Sequence, residues 1–310
     1  MKKPLHQKLI GSLRSKAPIE VRQKIGPLLA YVYYFDRLYI RPTKRPHILS
    51  IEETVDTILE KKLSVIRFGD GEISLIDGMD IPFQKRTDEL SEKLEHIIKV
   101  RDDRLLICIP GMWGSLSVFA DYAYHFIMHH MYRYNHIWSS LLSYDKVYGD
   151  TNVTRHYLAY KDKTRADTLF KKIKAIWKDE DIILIEGAKS RLGVGNDLFT
   201  NAKSVQRILC PPENAYAKYK EIESEASKQD KKKLVLLSLG PTAKVVAYDL
   251  FLLGYRVVDI GHIDMEYEMF LRKETKQVKV QHKYFNEINE RDPEDCTDTT
   301  YISQILATIQ

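Results

Sequence analysis

The chain has 310 residues, of which 44% are hydrophobic and 29% are charged. This length and composition exclude a disordered, collagen-like or coiled-coil chain and allow a sizeable hydrophobic core. The cysteines are Cys108, Cys210 and Cys296, an odd number without Cys-x-x-Cys spacing, which predicts reduced thiols in a cytoplasmic protein and no structural zinc site.

Positive charge is concentrated at the N-terminus. Residues 1–45 carry eleven Lys and Arg but two acidic residues, a local charge of +9, which leaves −4 for the remainder of a chain with net charge +5. Apolar residues such as Leu9 and Leu13 lie among the basic ones, as in helices that bind anionic membranes, whereas nucleic-acid binders more often carry basic residues across a folded face. We therefore predict a basic amphipathic helical arm over residues 1–48 that contacts anionic lipid, and no nucleic-acid partner. The alternatives are a solvated extension or a contact within an oligomer.

The sequence shows neither a membrane-spanning nor a secretory segment. Its longest apolar stretch, residues 27–35, is shorter than the roughly 20 residues that cross a bilayer. The N-terminus also lacks the compact apolar core and cleavage site of a signal peptide. These features predict a cytoplasmic protein that is peripheral at the inner face of the membrane through its arm.

A proline-bounded basic segment, residues 41–46, separates the arm from a domain predicted over residues 49–310. Ser50 followed by Glu53 is the signature of a capping box and predicts a helix that ends near Lys61. Short aliphatic runs then alternate with longer amphipathic segments, a pattern typical of a Rossmann-like α/β fold, a mostly parallel sheet flanked by helices. The predicted strands cover residues 63–68, 105–109, 182–186, 205–210, 234–239 and 256–260. The predicted helices between them cover residues 90–100, 116–131, 164–178, 215–227 and 242–253.

Polar and glycine-rich residues follow five of the predicted strands. In open α/β sheets, ligands bind beyond the carboxyl ends of the strands, so loops that lie far apart in the sequence would meet there. Each loop alone is compatible with an ordinary turn, and it is their shared position that predicts a ligand site. The five loops cover residues 67–72, 110–114, 186–197, 240–242 and 261–268.

The first of these loops contains two carboxylates, Asp70 and Glu72, separated by one glycine. Carboxylates at this spacing can turn toward one point, and oxygen ligands with room for phosphate suit Mn²⁺ or Mg²⁺. We therefore predict that Asp70 and Glu72 bind a divalent metal cofactor. We also predict that Arg67 and Gly69 help to bind the phosphate-bearing donor substrate, in what we call the donor site. The alternative is a glycine-rich turn with solvated acids, in which Arg67 forms an ion pair with Asp70.

The third loop carries groups suited to a diphosphate. Arg191 supplies positive charge and Gly193 allows close approach of the backbone, and we add Asn196 and Asp197 to this predicted donor site. The glycine spacing is not a complete dinucleotide fingerprint. The alternative is that Asn196 and Asp197 cap a short helix containing residues 198–199.

The fourth and fifth loops complete the predicted site. The fourth offers the N-terminus of an apolar helix to an anion, although its residues also fit an ordinary N-cap; they are Gly240, Pro241 and Thr242. In the fifth, Glu266 is our first candidate for a base that removes a proton from an attacking hydroxyl group, and Asp264 is the second. His262 lacks the second histidine of a zinc motif, so we expect it to be structural or to contact the donor.

Four of these motifs, in this order, resemble the GT-D type bacterial glycosyltransferases, a family first described as a domain of unknown function. The resemblance covers about residues 50–285 and rests on residues 67–72, 186–199, 239–243 and 259–268. It implies a Rossmann-like domain that uses a UDP-sugar and holds a divalent metal through an Asp-x-Glu motif, here Asp70 and Glu72. It also implies a role in glycosylating adhesins or in assembling bacterial surface polysaccharide.

The sequence therefore predicts a metal-dependent glycosyltransferase that moves a hexose, glucose or galactose, from a UDP-sugar to a glycan acceptor. The acceptor is expected to be lipid-linked where the arm brings the enzyme to a membrane. The metal and Arg191 would stabilise charge on the departing UDP. The alternative is a non-catalytic subunit that binds nucleotide or glycan in a polysaccharide assembly complex. A nucleotide-dependent hydrolase ranks last because the chain lacks a P-loop pattern.

Overall fold

A computed structural model describes residues 45–285 and 293–310. Within these residues, nine strands form one sheet. Its strands are β1 (His47–Ile48), β2 (Ser64–Arg67), β3 (Leu105–Ile109), β4 (Val147–Asp150), β5 (Asp181–Gly187), β6 (Ser204–Cys210), β7 (Leu234–Ser238), β8 (Val257–Asp259) and β9 (Ile305–Thr308). They lie in the order β1-β4-β3-β2-β8-β7-β5-β6-β9, and each pairing is parallel. The predicted α/β fold with a parallel sheet is confirmed.

Helices cover both faces of this sheet. They are α1 (Ile51–Lys61), α2 (Asp70–Ile76), α3 (Asp88–Lys99), α4 (Asp121–Leu141), α5 (Ala166–Lys174), α6 (Tyr219–Ser227), α7 (Thr242–Leu252), α8 (Ile263–Leu271) and α9 (Thr299–Ser303). The capping box predicted at the start of α1 is present, because the Ser50 side chain accepts from Glu53 N at 3.2 Å and Ser50 N donates to the Glu53 carboxylate at 2.8 Å. None of these helices has the length and apolar composition that crossing a bilayer demands.

The core has two layers because alternate residues of each strand face opposite sides of the sheet. In β3, Leu105, Ile107 and Ile109 pack in one layer, whereas Leu106 and Cys108 pack in the other. The first layer is covered mainly by α3, α4, α6 and α7, and the second by α1, α5 and α8. This burial on both faces explains why the strands read as continuous apolar runs.

Several elements differ from the sequence-based expectation. The helix predicted over residues 116–131 is α4, which begins at Asp121 and continues to Leu141, since Tyr134, Trp138 and Leu141 extend its buried face. Strands β1, β4 and β9 were not predicted, because they are short or carry few aliphatic residues. The predicted arm, apart from its last residues, and its lipid contact lie outside the described part of the chain.

The capping box provides a test of the start of α1. Replacing Ser50 by Ala removes the side-chain acceptor for Glu53 N, and we expect the free energy of unfolding to fall by about 1 kcal/mol. Thr57→Ala is the matched control, since Thr57 is half-buried within the same helix and its hydroxyl donates to the Glu53 carbonyl, a bond that does not cap the helix end. Chemical denaturation of both variants measures the difference; equal stabilities would contradict a capping role.

Candidate functional site

The carboxyl ends of β2 and β8 meet where the connectivity of the sheet reverses. From β2 the chain continues through β3 to β4 on one side, while β8, β7, β5 and β6 form the other side. Strands β2 and β8 pair through Val65 and Val258. In open α/β sheets a switch point of this kind opens a crevice in which ligands bind, so the loops after β2, β7 and β8 surround the candidate site.

Arg67, the last residue of β2, binds the end of β8. Its Nη2 lies 3.0 Å from Asp259 Oδ1, and its Nε donates to the Asp259 carbonyl at 2.8 Å. Its Nη1 donates to the Thr151 carbonyl at 3.2 Å and to the Thr154 hydroxyl. The ion pair that the sequence suggested between Arg67 and Asp70 is therefore wrong, since Arg67 pairs with Asp259. Predicted as a donor-binding residue, Arg67 here ties β2 to β8 and to the turn after β4.

Lys244 extends this ion pair into a buried network. Its Nζ lies 3.0 Å from Glu72 Oε1 and 3.0 Å from Asp259 Oδ2, and it donates to the Gly240 carbonyl at 3.2 Å. Burial alone would raise the pKa of the Asp259 carboxyl, but the charges of Arg67 and Lys244 and their hydrogen bonds hold it below its usual value. Sequence reasoning missed Lys244 and Asp259, although each stands out as a charged residue inside an apolar helix or strand.

Asp70 and Glu72 lie in different surroundings. Gly69 is the N-cap of α2, so both acids belong to a helix rather than to a loop. Residues two positions apart on a helix are separated by about 200° around its axis. Asp70 is exposed, whereas Glu72 is buried and its Oε2 accepts from Gly69 N at 2.7 Å.

A pocket lies beside the switch point, with a cavity volume of about 60 Å³. It brings together the loops after β5, β7 and β8, as the sequence predicted for the third, fourth and fifth loops. Gly240 and Pro241 contribute to its wall, while Thr242 is buried behind them and its hydroxyl donates to Gln84 at 3.3 Å. The lining residues are Phe83, Gln84, Ser190, Leu192, Pro212, Ala215, Ser238, Leu239, Gly240, Pro241, Gly261, His262, Met265 and Tyr284.

Aromatic residues from outside the predicted loops form part of this pocket. Phe83 packs over Gly240, whose φ is +52° and at which a Cβ would lie 2.9 Å from the Phe83 ring. Tyr284 N donates to the Lys189 carbonyl at 2.8 Å, which brings the Tyr284 side chain to the pocket. His262 Nδ1 is hydrogen-bonded to Arg155 Nη2. No motif in the sequence marked Phe83 or Tyr284, because both approach from segments distant in the chain.

Arg191 binds the backbone of a C-terminal segment. Its Nη1 donates to the His282 carbonyl at 2.6 Å and to the Glu294 carbonyl at 2.7 Å, and the side chain is buried. These contacts hold the segment that carries Tyr284. Arg191 does not line the pocket, and its predicted contact with a diphosphate stays a prediction. Its hydrogen bonds to the two carbonyls explain why the side chain is buried.

The other predicted residues of the third loop also contact protein groups. Asp264 Oδ1 accepts from Gly193 N at 2.8 Å and from Asn196 Nδ2 at 2.9 Å, which fastens the loop to α8. Asp197 forms an ion pair with Lys174 of α5 at 2.6 Å. No helix forms at residues 198–199, which lie in a turn, so the predicted short helix is wrong.

Both candidate bases on α8 are buried and hydrogen-bonded. Asp264 lies 2.7 Å from Lys283 Nζ, in addition to its contacts with the third loop. Glu266 Oε1 accepts from Tyr157 N at 2.8 Å and from Leu158 N at 2.7 Å. These bonds give both buried carboxylates hydrogen-bond partners. The assignment of either residue as the base stays a prediction.

Asp150, the last residue of β4, is a buried acid that the sequence analysis did not single out. Its Oδ1 accepts from Asn152 N at 2.8 Å, and a Cβ on Gly111 would lie 2.5 Å from its Oδ2. Burial raises the pKa of this carboxyl to about 7, although hydrogen bonds from Asn152 and Gly111 act in the opposite direction. The second loop turns inward here, with Met112 and Trp113 in the core, and covers Asp150 instead of lining the pocket.

The raised pKa of Asp150 predicts a pH-dependent stability. Between its usual value and about 7 the folded chain holds a proton that the unfolded chain has lost, so the free energy of unfolding should fall as pH rises through this window. In the unaltered protein we expect the free energy of unfolding to fall by on the order of 2 kcal/mol between pH 5 and pH 8. In Asp150→Asn we expect this fall to be absent. Urea unfolding at the two pH values measures this, with Asp103→Asn, an exposed acid, as control. An unchanged pH dependence in Asp150→Asn would refute the burial effect.

Gly261 permits the close approach of the β8 loop to Arg67. Its φ is +42°, and a Cβ there would lie 1.7 Å from Arg67 Nη2. Gly261→Ala should therefore displace the guanidinium from Asp259 and lower the free energy of unfolding by about 3 kcal/mol or more. Gly254→Ala is the matched control, because Gly254 has φ +91° with no atom within 4 Å and should cost only the backbone strain, about 1 kcal/mol. Equal losses would show that contact with Arg67 is unimportant.

Two solved structures share the fold of this chain. One, described as a new glycosyltransferase (DUF1792) from Streptococcus sanguinis, has a TM-score of 0.82 and 39% sequence identity, and the match covers 86% of this chain and 100% of that one. A second is described as the highly conserved domain of unknown function 1792 with a distinct glycosyltransferase fold. It has a TM-score of 0.82 and 34% identity, and covers 93% of this chain and 100% of that one.

Two curated relatives are named as glycosyltransferases. Glycosyltransferase GlyD of Streptococcus pneumoniae serotype 4 is 42% identical over 272 residues, and a probable glycosyl transferase Gly of Streptococcus gordonii is 41% identical over 268 residues. The matches cover 87% and 84% of this chain but 33% and 39% of the relatives, so the chain spans about a third of their length. A family model described as glycosyltransferase GT-D fold matches residues 65–288, more than half of the chain, and the chain therefore belongs to the GT-D glycosyltransferase family.

Proposed function

We propose that this protein is a metal-dependent glycosyltransferase that moves a hexose, glucose or galactose, from a UDP-sugar to a glycan acceptor in the assembly of a bacterial surface polysaccharide or glycoprotein. Membership of the GT-D family and the names of the relatives support transfer of a sugar. The observation that carries the proposal is the convergence of the loops after β5, β7 and β8 on one pocket beside the switch point.

We expect Asp70, which follows β2 at the switch point and lies outside the pocket lining, to hold a divalent cation. Mg²⁺ and Mn²⁺ are commonly held by one or two carboxylates together with substrate phosphates, and Asp70 is exposed at the first turn of α2. When bound with the donor, such a cation neutralises charge on the diphosphate leaving group. Within the described ranges, no three Asp, Glu, His or Cys side chains form a metal-ligand cluster. The proposed site therefore uses Asp70 and phosphate oxygens together.

The protein itself supplies the remaining features of a donor site. Helix α7 begins at Thr242, directly after the pocket residues Gly240 and Pro241, and a helix N-terminus favours a nearby anion. Phe83 and Tyr284 offer aromatic surface beside polar groups, a combination that suits a nucleotide. Glu266, with Asp264 as second choice, remains the proposed base; either would have to receive the acceptor's proton despite its burial.

Binding without turnover is the competing function. A non-catalytic subunit of an assembly complex would use the same pocket to hold nucleotide or glycan. Release of UDP from a UDP-sugar in the presence of Mn²⁺ distinguishes the two, because a binding subunit would show affinity and no product. The panel of sugars should include UDP-glucose and UDP-galactose, since no described contact selects the hexose.

Asp70 provides the direct test of the metal-dependent transfer. We expect Asp70→Ala to lower UDP release by at least about tenfold, because it removes the exposed carboxylate that would hold the cation. Asp77→Ala is the matched control, since Asp77 is exposed at the other end of α2 and should retain activity. EDTA should abolish activity and Mn²⁺ should restore it. Full activity of Asp70→Ala, or in EDTA, would refute the metal role.

We also propose that residues 1–45 bring the enzyme to anionic lipid and a lipid-linked acceptor. Their net charge of +9 supports attraction to an anionic surface. Flotation with vesicles that contain phosphatidylglycerol tests this, and removal of residues 1–45 should abolish binding. Unchanged flotation of the shortened protein would leave the arm with another role.

A further inference from the structure

Lys244 occupies the space between two acidic residues at the switch point. Its ammonium lies 3.0 Å from Glu72 Oε1, 3.0 Å from Asp259 Oδ2 and 3.2 Å from the Gly240 carbonyl. An ammonium group has three donors, and these three acceptors use all of them. The side chains of Lys244, Glu72 and Asp259 are all buried, so the arrangement is enclosed and has little freedom to change.

The arrangement commits Glu72 to the protein. Its Oε1 faces Lys244 and its Oε2 accepts from Gly69 N at 2.7 Å. A cation that used Glu72 would have to approach a buried carboxylate that is already in contact with the Lys244 ammonium. The cation and the ammonium would repel each other strongly, because they would lie close together and away from water. Asp70, exposed on the same helix, meets no such obstacle in the contacts that the structure gives it.

We propose that Lys244 is a positioning residue that takes the place of a metal between Glu72 and Asp259, so that Asp70, and not Glu72, is the acidic ligand of the Asp-Gly-Glu motif. Glu72 then serves to fix the start of α2, and with it the position of Asp70. The inference builds on the metal-dependent function proposed above, but it concerns which carboxylate binds the cation and can be measured without sugar transfer.

The charges in the network explain why Lys244 is needed. Arg67 and Lys244 carry two positive charges, and Asp259 and Glu72 carry two negative ones, so the buried group is neutral. Removing Lys244 would leave Glu72 with no cationic partner among the ion pairs described for it. Two carboxylates that shared one ammonium would then face a common gap, which is a favourable site for a divalent cation.

Mn²⁺ binding in the presence of UDP tests the assignment, with free Mn²⁺ followed by electron paramagnetic resonance and no sugar donor present. We expect Asp70→Asn to weaken binding by at least about tenfold and Glu72→Gln to change it by less than about threefold, since carboxylate ligands dominate Mg²⁺ and Mn²⁺ sites. Weakening of Mn²⁺ binding in Glu72→Gln by as much as in Asp70→Asn would overturn the proposal. This experiment does not depend on any change at Lys244.

A second experiment tests for a gain of Mn²⁺ binding. Lys244→Met should tighten Mn²⁺ binding by about tenfold or add a second bound Mn²⁺, and the double variant Lys244→Met with Glu72→Gln should lose that gain. Lys172→Met is the matched control, because Lys172 pairs with a single carboxylate, Asp56, at 2.7 Å, and it should show no gain. A folded Lys244→Met variant without the gain would overturn the proposal.

The two proposals fail in different ways. If the unaltered protein bound no Mn²⁺ with UDP, the metal dependence of the transfer would be refuted, and the gain in Lys244→Met would still decide the role of Lys244. If the unaltered protein bound Mn²⁺ and lost it equally in Asp70→Asn and Glu72→Gln, only the assignment of Lys244 would be refuted.

Discussion

The structure depends on a neutral group of four buried charges at the centre of the sheet, formed by Arg67, Asp259, Lys244 and Glu72. These residues come from β2, β8, α7 and α2, so the network joins the loops on both sides of the switch point. A buried ion pair adds little net stability, but loss of one partner leaves an uncompensated charge and costs several kcal/mol. The network therefore specifies how the loops are placed more than how stable the protein is.

Most of the fold could be predicted because its signals are local. The strands from β2 to β8, except β4, are apolar runs that α/β proteins bury on both faces, and the Ser50 capping box marked the start of α1. Strand β4 could not be recognised in the same way, since its sequence Val-Tyr-Gly-Asp ends in turn-like residues whose strand conformation depends on pairing with β3. The same applies to the two-residue β1, which exists through its pairing with β4.

The site was harder to predict because its contacts join residues far apart in the chain. The loops after β5, β7 and β8 do meet, as expected from the position of strand ends. Which charged side chain meets which partner could not be read from the motifs: Arg191 binds main-chain carbonyls, and Asn196 binds Asp264 and Glu268. Much of the third loop's polarity thus serves to hold the loop against α8, as buried polar groups require partners.

The C-terminal strand extends the fold past the segment that the family model matches. That match ends at residue 288, whereas β9 pairs with β6, and Arg207 of β6 donates to Gln304 Oε1 at 2.8 Å. A shortened protein that stopped at the matched boundary would make β6 the edge of the sheet, with unpaired backbone groups able to recruit a strand from another molecule. It would also lose the Glu294 carbonyl that Arg191 binds, so self-association and a loosened pocket wall would accompany each other.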